Sequence, residues 1–253
     1  MIKLILTDLD HTLLRSDGSI SEETLNVLKD VRARGVLLAI ATARYWIGAE
    51  KYIDLLAPDY EITTDGTLIH SHDELIYSSE FSKEDTNLIV RSLLEEMPSS
   101  EITVASKKTV YWNSLHIAES AKLHKAVYND YSSELDVRAN KIVAELPDDV
   151  IASKIASAVG CKLQGYRGER WYAFLPQGSG KTSAISALSE ASGISADDRV
   201  SFGDDDNDID LLKMCGQGIA VANAVPAVLD IADSVTQSND EDGVALWIRQ
   251  NML

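Results

Sequence analysis

"KLILTDLDHT", residues 3–12, runs from an unbroken apolar stretch into two aspartates. A run without alternation marks a strand covered on both faces, as in a parallel sheet. Two residues apart at a strand's carboxyl end, Asp8 and Asp10 emerge on the same side. That edge is where open parallel sheets take their ligands. Crowded carboxylates repel unless a cation lies between them; capping a turn is the other use of aspartates at such a place.

The surrounding chain repeats the same grammar. "SEETLNVLKDVRARG" (21–35) predicts a helix with Ser21 as N-cap, Glu22 and Glu23 in the first turn and Gly35 at its end. "VLLAIAT" (36–42) is a second buried strand, so the start of the chain is a right-handed βαβ unit. Late in the chain come a helix over 181–191, strand "RVSFGD", a helix from Asn207 to Met214, strand "GIAV", a helix near 225–232 and "DSVT". Residues 1–82 and 176–253 therefore predict one α/β domain, a doubly wound, Rossmann-like parallel sheet. Between them, 83–175 reads as an inserted α+β module. Its predicted helices cover 84–96, 117–131 and 148–158, and its strands are "EITVAS", "TVYWN", "KIVAEL" and segments near 161–166 and 170–175.

Composition narrows the function. A formal charge of -17 over 253 residues argues against a nucleic-acid surface, and an anionic substrate then needs a locally positive site or a bound cation. Cys161 and Cys215 form no metal spacing and read as reduced thiols. The amino terminus turns acidic too soon for a signal peptide, and no stretch has membrane-spanning length, which predicts a cytoplasmic protein. Monomer and dimer both stay open.

Three further stretches carry chemistry. "LPQGSGKTSAISAL" (175–188) has the look of a phosphate loop, but Leu175 stands where a P-loop needs its first glycine, which argues against an NTPase. Lys181 still opens a helix, where backbone donors favour an anion. "FGDDDNDID" (202–210) crowds aspartates at a strand end; an EF-hand read from Asp206 fails, with Leu211 at position six and Gln217 at position twelve. Asp204, directly after Gly203, is the candidate metal ligand, and a few carboxylates completed by phosphate suit Mg²⁺. "AIATAR" places the Thr42 hydroxyl at the second strand's tip and Arg44 two residues on; either could be an ordinary helix cap.

In order and placement, these stations resemble the haloacid dehalogenase superfamily of phosphohydrolases. Asp8-x-Asp10-x-Thr12 is similar to its first motif, Thr42 to its second, Lys181 to its third and "GDDDND" to its fourth. The tail from "GIAVANAVPAVLD" onward resembles the Cof-type branch, whose members carry a large α/β cap between the second and third motifs. The resemblance implies a Mg²⁺-dependent phosphatase acting on a small phosphorylated metabolite, such as a sugar phosphate or a phosphoglycolate-like ester, with the cap selecting the substrate. It makes Asp8 the nucleophile of an aspartyl-phosphate mechanism and Asp10 the general acid and base. It assigns the metal to Asp8, the Asp10 carbonyl, Asp204 and Asp208. Thr12, Thr42, Arg44, Lys181 and Asn207 become phosphate or substrate contacts, with Asn207 and Asp208 orienting Lys181 or metal-bound water. His11, Ala43 and Asp65 stand where relatives commonly have Gly, Gly and Asn.

A dehalogenase would lack Asp10, and a binding protein on this fold would lose a motif residue. A phosphomutase on a hexose phosphate keeps every motif and stays the main alternative, ahead of a P-loop nucleotide-binding protein. Arg167, Arg170 and Trp171 are candidate cap contacts, and hinges fall near Phe81-Ser82 and Pro176-Gln177-Gly178.

Overall fold

The computed structural model describes every residue except 121, 122 and 167. The chain begins with β1 (Leu4–Thr7), α1 (Glu22–Ala33), β2 (Leu37–Ala41), α2 (Trp46–Leu56) and β3 (Tyr60–Thr63), followed by a hairpin of β4 (Leu68–Ser71) and β5 (Glu74–Ser78). The inserted region holds α3 (Lys83–Glu96), β6 (Ile102–Ser106), β7 (Thr109–Trp112), β8 (Val127–Tyr128), β9 (Lys141–Glu145), α4 (Asp149–Val159), β10 (Lys162–Gly165) and β11 (Trp171–Leu175). The chain then returns with α5 (Lys181–Ser192), β12 (Arg199–Gly203), α6 (Ile209–Lys213), β13 (Gln217–Ala220), α7 (Pro226–Leu229), β14 (Ser234–Val235) and α8 (Gly243–Met252).

Two sheets result. The first has the order β14-β13-β12-β1-β2-β3-β4-β5. It is parallel from β14 through β3 and antiparallel across β4 and β5. The opening apolar run lies at its centre as β1, wholly buried between β2 and β12. The strand-order reversal at β1 brings the tips of β1, β2 and β12 side by side, the place a doubly wound sheet reserves for ligands. The second sheet, β10-β11-β9-β6-β7-β8, is antiparallel except for its β7–β8 edge. It shares its own apolar cluster with α3 and α4, including Ile89, Leu93, Ile142, Ile155 and Phe174. The architecture is an α/β Rossmann-like core with an inserted α+β cap.

Local signals explain most elements. The Ser21 hydroxyl accepts from the Thr24 amide at 2.9 Å and starts α1, while Gly35 at φ 88 provides the turn into β2. Asp148 caps α4 in the same way, accepting from the Val150 amide at 3.0 Å. The helix expected over 117–131 does not form. In its place are a single turn at Ile117–Glu119 and the edge strand β8, with residues 121 and 122 of that span outside the described ones. No described side chain from Ile117 to Asp130 is fully buried, so a helical period there has no face to bury, and packing supplies most helical stability. The helix expected from Asn207 to Met214 forms as α6, with a single tight turn at Asp206–Asp208 ahead of it. Phe81, expected at a hinge, is buried in the cap's cluster, and its amide donates to the Ala139 carbonyl at 2.8 Å. Among the described residues no helix is long and apolar enough to cross a membrane.

Candidate active site

The tips of β1, β2 and β12 and the first turn of α5 open into a cavity of about 980 Å³, roofed by the second sheet. Asp8 follows β1 directly and is buried, and its Oδ1 lies 2.9 Å from Lys181 Nζ. Lys181, the first residue of α5, also contacts Asp208 Oδ1 at 2.5 Å. The other oxygen of Asp208 accepts from the Asp204 and Asp205 amides at 3.1 and 3.2 Å. Gly203 makes this packing possible: a Cβ there would stand 2.5 Å from that of Asp208. Asp208 thus holds both the lysine and the loop after β12.

Carboxylate oxygens of Asp8, Asp204 and Asp208 lie within 4.8 Å of one another. Burial lifts Asp8 well above the ordinary carboxylate range; Lys181 opposes this, while Asp208 and Asp204 add to it. Burial likewise pushes Asp204 up to about 6, against the hydrogen bond it receives from Thr12. The Lys181 ammonium is disfavoured by burial, yet the fields of Asp208 and Asp8 outweigh this and hold it charged. Three converging acids around one lysine carry excess negative charge away from water. That oxygen donor set fits a small hard dication. The Asp10 carboxylate lies outside the cluster.

Asp10 is gripped instead by Arg44, whose Nε and Nη2 reach its two oxygens at 2.6 and 2.5 Å. Arg44 is itself fixed by the Gly48 carbonyl at 2.9 Å and stacks 4.9 Å from the Tyr52 ring centre. The residue expected to touch substrate therefore holds the candidate acid and base. Thr42 is buried, lines the cavity and accepts from the Arg44 amide at 3.2 Å. Thr12 departs from its expected phosphate contact: it lies outside the cavity lining, and its hydroxyl donates to Asp204 Oδ1 at 2.7 Å. Asn207 and Trp171 line the cavity, Arg170 does not, and Arg167 lies outside the described residues.

The departures from the common motif also find a place. His11 is exposed at the cavity with φ 58, a left-handed backbone that glycine adopts at no cost and histidine tolerates. Ala43 and Asp65 line the cavity and are both met by Lys141 of β9. Lys141, Tyr45, Gln164 and Tyr166, all in the lining, escaped the sequence reading. For Lys141 the one available signal was its place on "KIVAEL", and a strand's alternation does not say which domain a face meets.

Comparison with known proteins agrees with this arrangement. Residues 5–248 match the family model described as haloacid dehalogenase-like hydrolase. The chain is 28% identical to the putative phosphatase YxeH of Bacillus subtilis, over 100% of this chain and 99% of that protein. It is 28% identical to the HMP-PP phosphatase of Enterobacter sp., over 90% and 87% of the two chains. A crystal structure of a haloacid dehalogenase-like hydrolase from Bacteroides thetaiotaomicron superposes with a TM-score of 0.84 at 25% identity, over 99% of each chain. With nearly its whole length matched and the four motif stations gathered at one sheet edge, the chain belongs to the haloacid dehalogenase-like hydrolase family.

Proposed function

We propose that this chain is a Mg²⁺-dependent, cytoplasmic phosphatase that hydrolyses a small phosphorylated metabolite, a sugar phosphate or similar ester, through an aspartyl-phosphate. The observation that carries the reading is the Asp8–Lys181–Asp208 relay beside Asp204, buried under a roofed cavity. A carboxylate held 2.9 Å from a buried ammonium is positioned to attack a phosphorus atom whose oxygens that ammonium also meets. Names among the relatives, such as the HMP-PP phosphatase, support a phosphate ester of small size.

In this mechanism Asp8 attacks phosphorus and the ester oxygen departs. Asp10, at the cavity's edge, gives that oxygen a proton and later takes one from the hydrolytic water. Arg44 must yield its grip on Asp10 for the proton to move. Lys181 and Thr42 face the equatorial phosphate oxygens, with Asn207 and Asp208 orienting the lysine. Asp8, the Asp10 carbonyl, Asp204 and Asp208 would hold Mg²⁺, which when bound neutralises charge so that one anion can approach another. We assign 1–82 and 176–253 to the catalytic core and 83–175 to the cap that selects the leaving group.

The test is p-nitrophenyl phosphate turnover by the purified chain with Mg²⁺, without it, and in Asp8→Asn. Turnover should need the metal, and Asp8→Asn should fold normally yet lose several orders of magnitude, since an amide does not displace the ester oxygen. Near-normal turnover in that variant, with deamidation excluded, removes the aspartyl-phosphate. A strict need for a sugar bisphosphate activator would turn the reading toward a mutase.

A further inference from the structure

We propose that Asp65 and Lys141 form a core-to-cap latch that positions the phosphate-binding loops when the cap is closed. This rests on the phosphatase reading above. Lys141 belongs to β9 of the cap and Asp65 to the turn after β3 of the core. Their ion pair is almost wholly sealed, with side-chain exposures of 3% and 5%. Lys141 Nζ also donates to the Ala43 carbonyl at 3.1 Å and lies 4.9 and 5.4 Å from the ring centres of Tyr45 and Tyr166. From β10, Gln164 Nε2 donates to the other Asp65 oxygen at 3.3 Å. One core carboxylate thus takes two cap strands at once.

The turn that carries Asp65 touches both halves of the phosphate site. The Thr64 amide donates to the Arg44 carbonyl at 2.8 Å. On its other side Gly66 lies so close to α5 that a Cβ would meet the Gly180 carbonyl carbon at 2.6 Å and the Lys181 nitrogen at 2.7 Å. Thr64 and Asp65 both hold φ 56, a left-handed conformation that costs a threonine free energy and persists only where surroundings enforce it. Lys141 therefore pulls on the Thr42–Arg44 loop directly, through Ala43, and on the start of α5 through Asp65 and Gly66. Among the described residues the other ion pairs between cap and core, Lys125–Glu50, Lys108–Asp73 and Arg138–Glu80, do not touch this network. Lys125–Glu50 and Lys108–Asp73 each have a side chain at least half exposed, where pairs hold little.

A sealed ion pair is a poor source of net stability, because desolvation offsets its attraction. Its physical use is geometric: the two charges are satisfied in one cap position, and opening the cap separates them. Asp65 and Lys141 are accordingly positioning residues, acting through Ala43, Thr64 and Gly66 on the groups that face phosphate.

The test uses the full chain and three variants: Asp65→Asn, Lys141→Met and the two combined. Asparagine tolerates the left-handed turn, and the double variant leaves no lone buried charge. Small-angle scattering reads closure, and p-nitrophenyl phosphate kinetics with Mg²⁺ reads the site. Each variant should expand measurably beyond the wild type, for which a compact chain of this length has a radius of gyration of about 18 Å. If the closed fraction falls about tenfold, KM should rise about tenfold while kcat changes by less than about threefold. The double variant should regain the wild-type melting temperature and keep the raised KM. Folded variants with wild-type scattering and KM overturn the latch. So does a double variant whose KM recovers together with its melting temperature, since the pair would then be structural only. Absence of turnover in the wild type would sink the phosphatase reading alone, leaving the scattering to decide the latch.

Discussion

Asp208 is the residue on which the site's electrostatics turn, and its replacement gives the sharpest check on the relay. Only 1% exposed, it accepts from Lys181 Nζ at 2.5 Å and from two backbone amides at 3.1 and 3.2 Å. In Asp208→Asn the amide oxygen can still serve both backbone donors, but the NH₂ group then faces the ammonium. Removing one partner of a buried ion pair costs about 3–5 kcal/mol. Here Asp8 remains as a second partner at 2.9 Å, so the lower end applies. At roughly 2–4 °C per kcal/mol for a chain of this size, the melting temperature should fall by about 6–12 °C. Asp208→Ala should fall further, because it also strands two amides at about 1–3 kcal/mol each where water does not replace the carboxylate. Adding Lys181→Met to Asp208→Asn should cost less than the two single losses combined, since the stranded charge goes with the lysine. Thermal unfolding of the metal-free protein measures all four. An Asp208→Asn melt within about 2 °C of wild type, or strict additivity with Lys181→Met, would refute the relay as a coupled buried unit.

Two further outcomes follow from the same geometry. Asp10→Asn should slow alkyl phosphates far more than p-nitrophenyl phosphate, whose leaving group departs without a proton; equal losses on both ester types would take Asp10 out of the acid role. Asp204 supplies a pH signature. Its folded value of about 6 lies above the ordinary 3.8, so between these pH values the folded protein keeps a proton that the unfolded chain releases. In the metal-free protein this contribution to stability is present at low pH and is lost as pH rises through about 6. Mg²⁺ needs the ionised form, so the rise in melting temperature it produces should be large at neutral pH and shrink below about 6; a rise of equal size on both sides of that value contradicts the assignment.

How far the sequence could be read depended on what fixes each residue. Asp8, Thr42, Asp204 and Lys181 sit directly at the ends of β1, β2 and β12 and at the start of α5, so backbone topology alone delivers them to one edge. Strand and helix patterns carry that information. Arg44 was visible two residues past Thr42, but its bidentate grip on Asp10, 34 positions away, depends on where a side chain swings. Lys141 sits on a strand that was read correctly, yet its ammonium is neutralised by a core aspartate on a strained turn, a feature no local period encodes. The segment 117–131 shows the opposite failure. Its helical spacing is present, but from Ile117 to Asp130 no described side chain is fully buried, so the tertiary context overrides it.

The acidity of the chain takes on meaning at this site. Among the described residues nine carboxylates lie on or beside the cavity (Asp8, Asp10, Asp65, Glu169, Asp204, Asp205, Asp206, Asp208 and Asp210), and, besides the exposed Lys162, three buried or half-buried cations answer them. Each of those cations is already committed: Lys181 to Asp8 and Asp208, Arg44 to Asp10, Lys141 to Asp65. A phosphate monoester would bring still more negative charge into a space that low polarisability makes unforgiving. Lys181 alone cannot offset both the incoming anion and the acids that hold it in place. A dication at Asp8, Asp204 and Asp208 would close that deficit, and the same surplus of acid that repels phosphate from the bare protein is what would draw the metal in. On the proposed reading, substrate affinity at this site belongs to the metal-loaded protein, and the choice among substrates falls to the roof of the cavity, where Gln164, Tyr166 and Trp171 come from the cap.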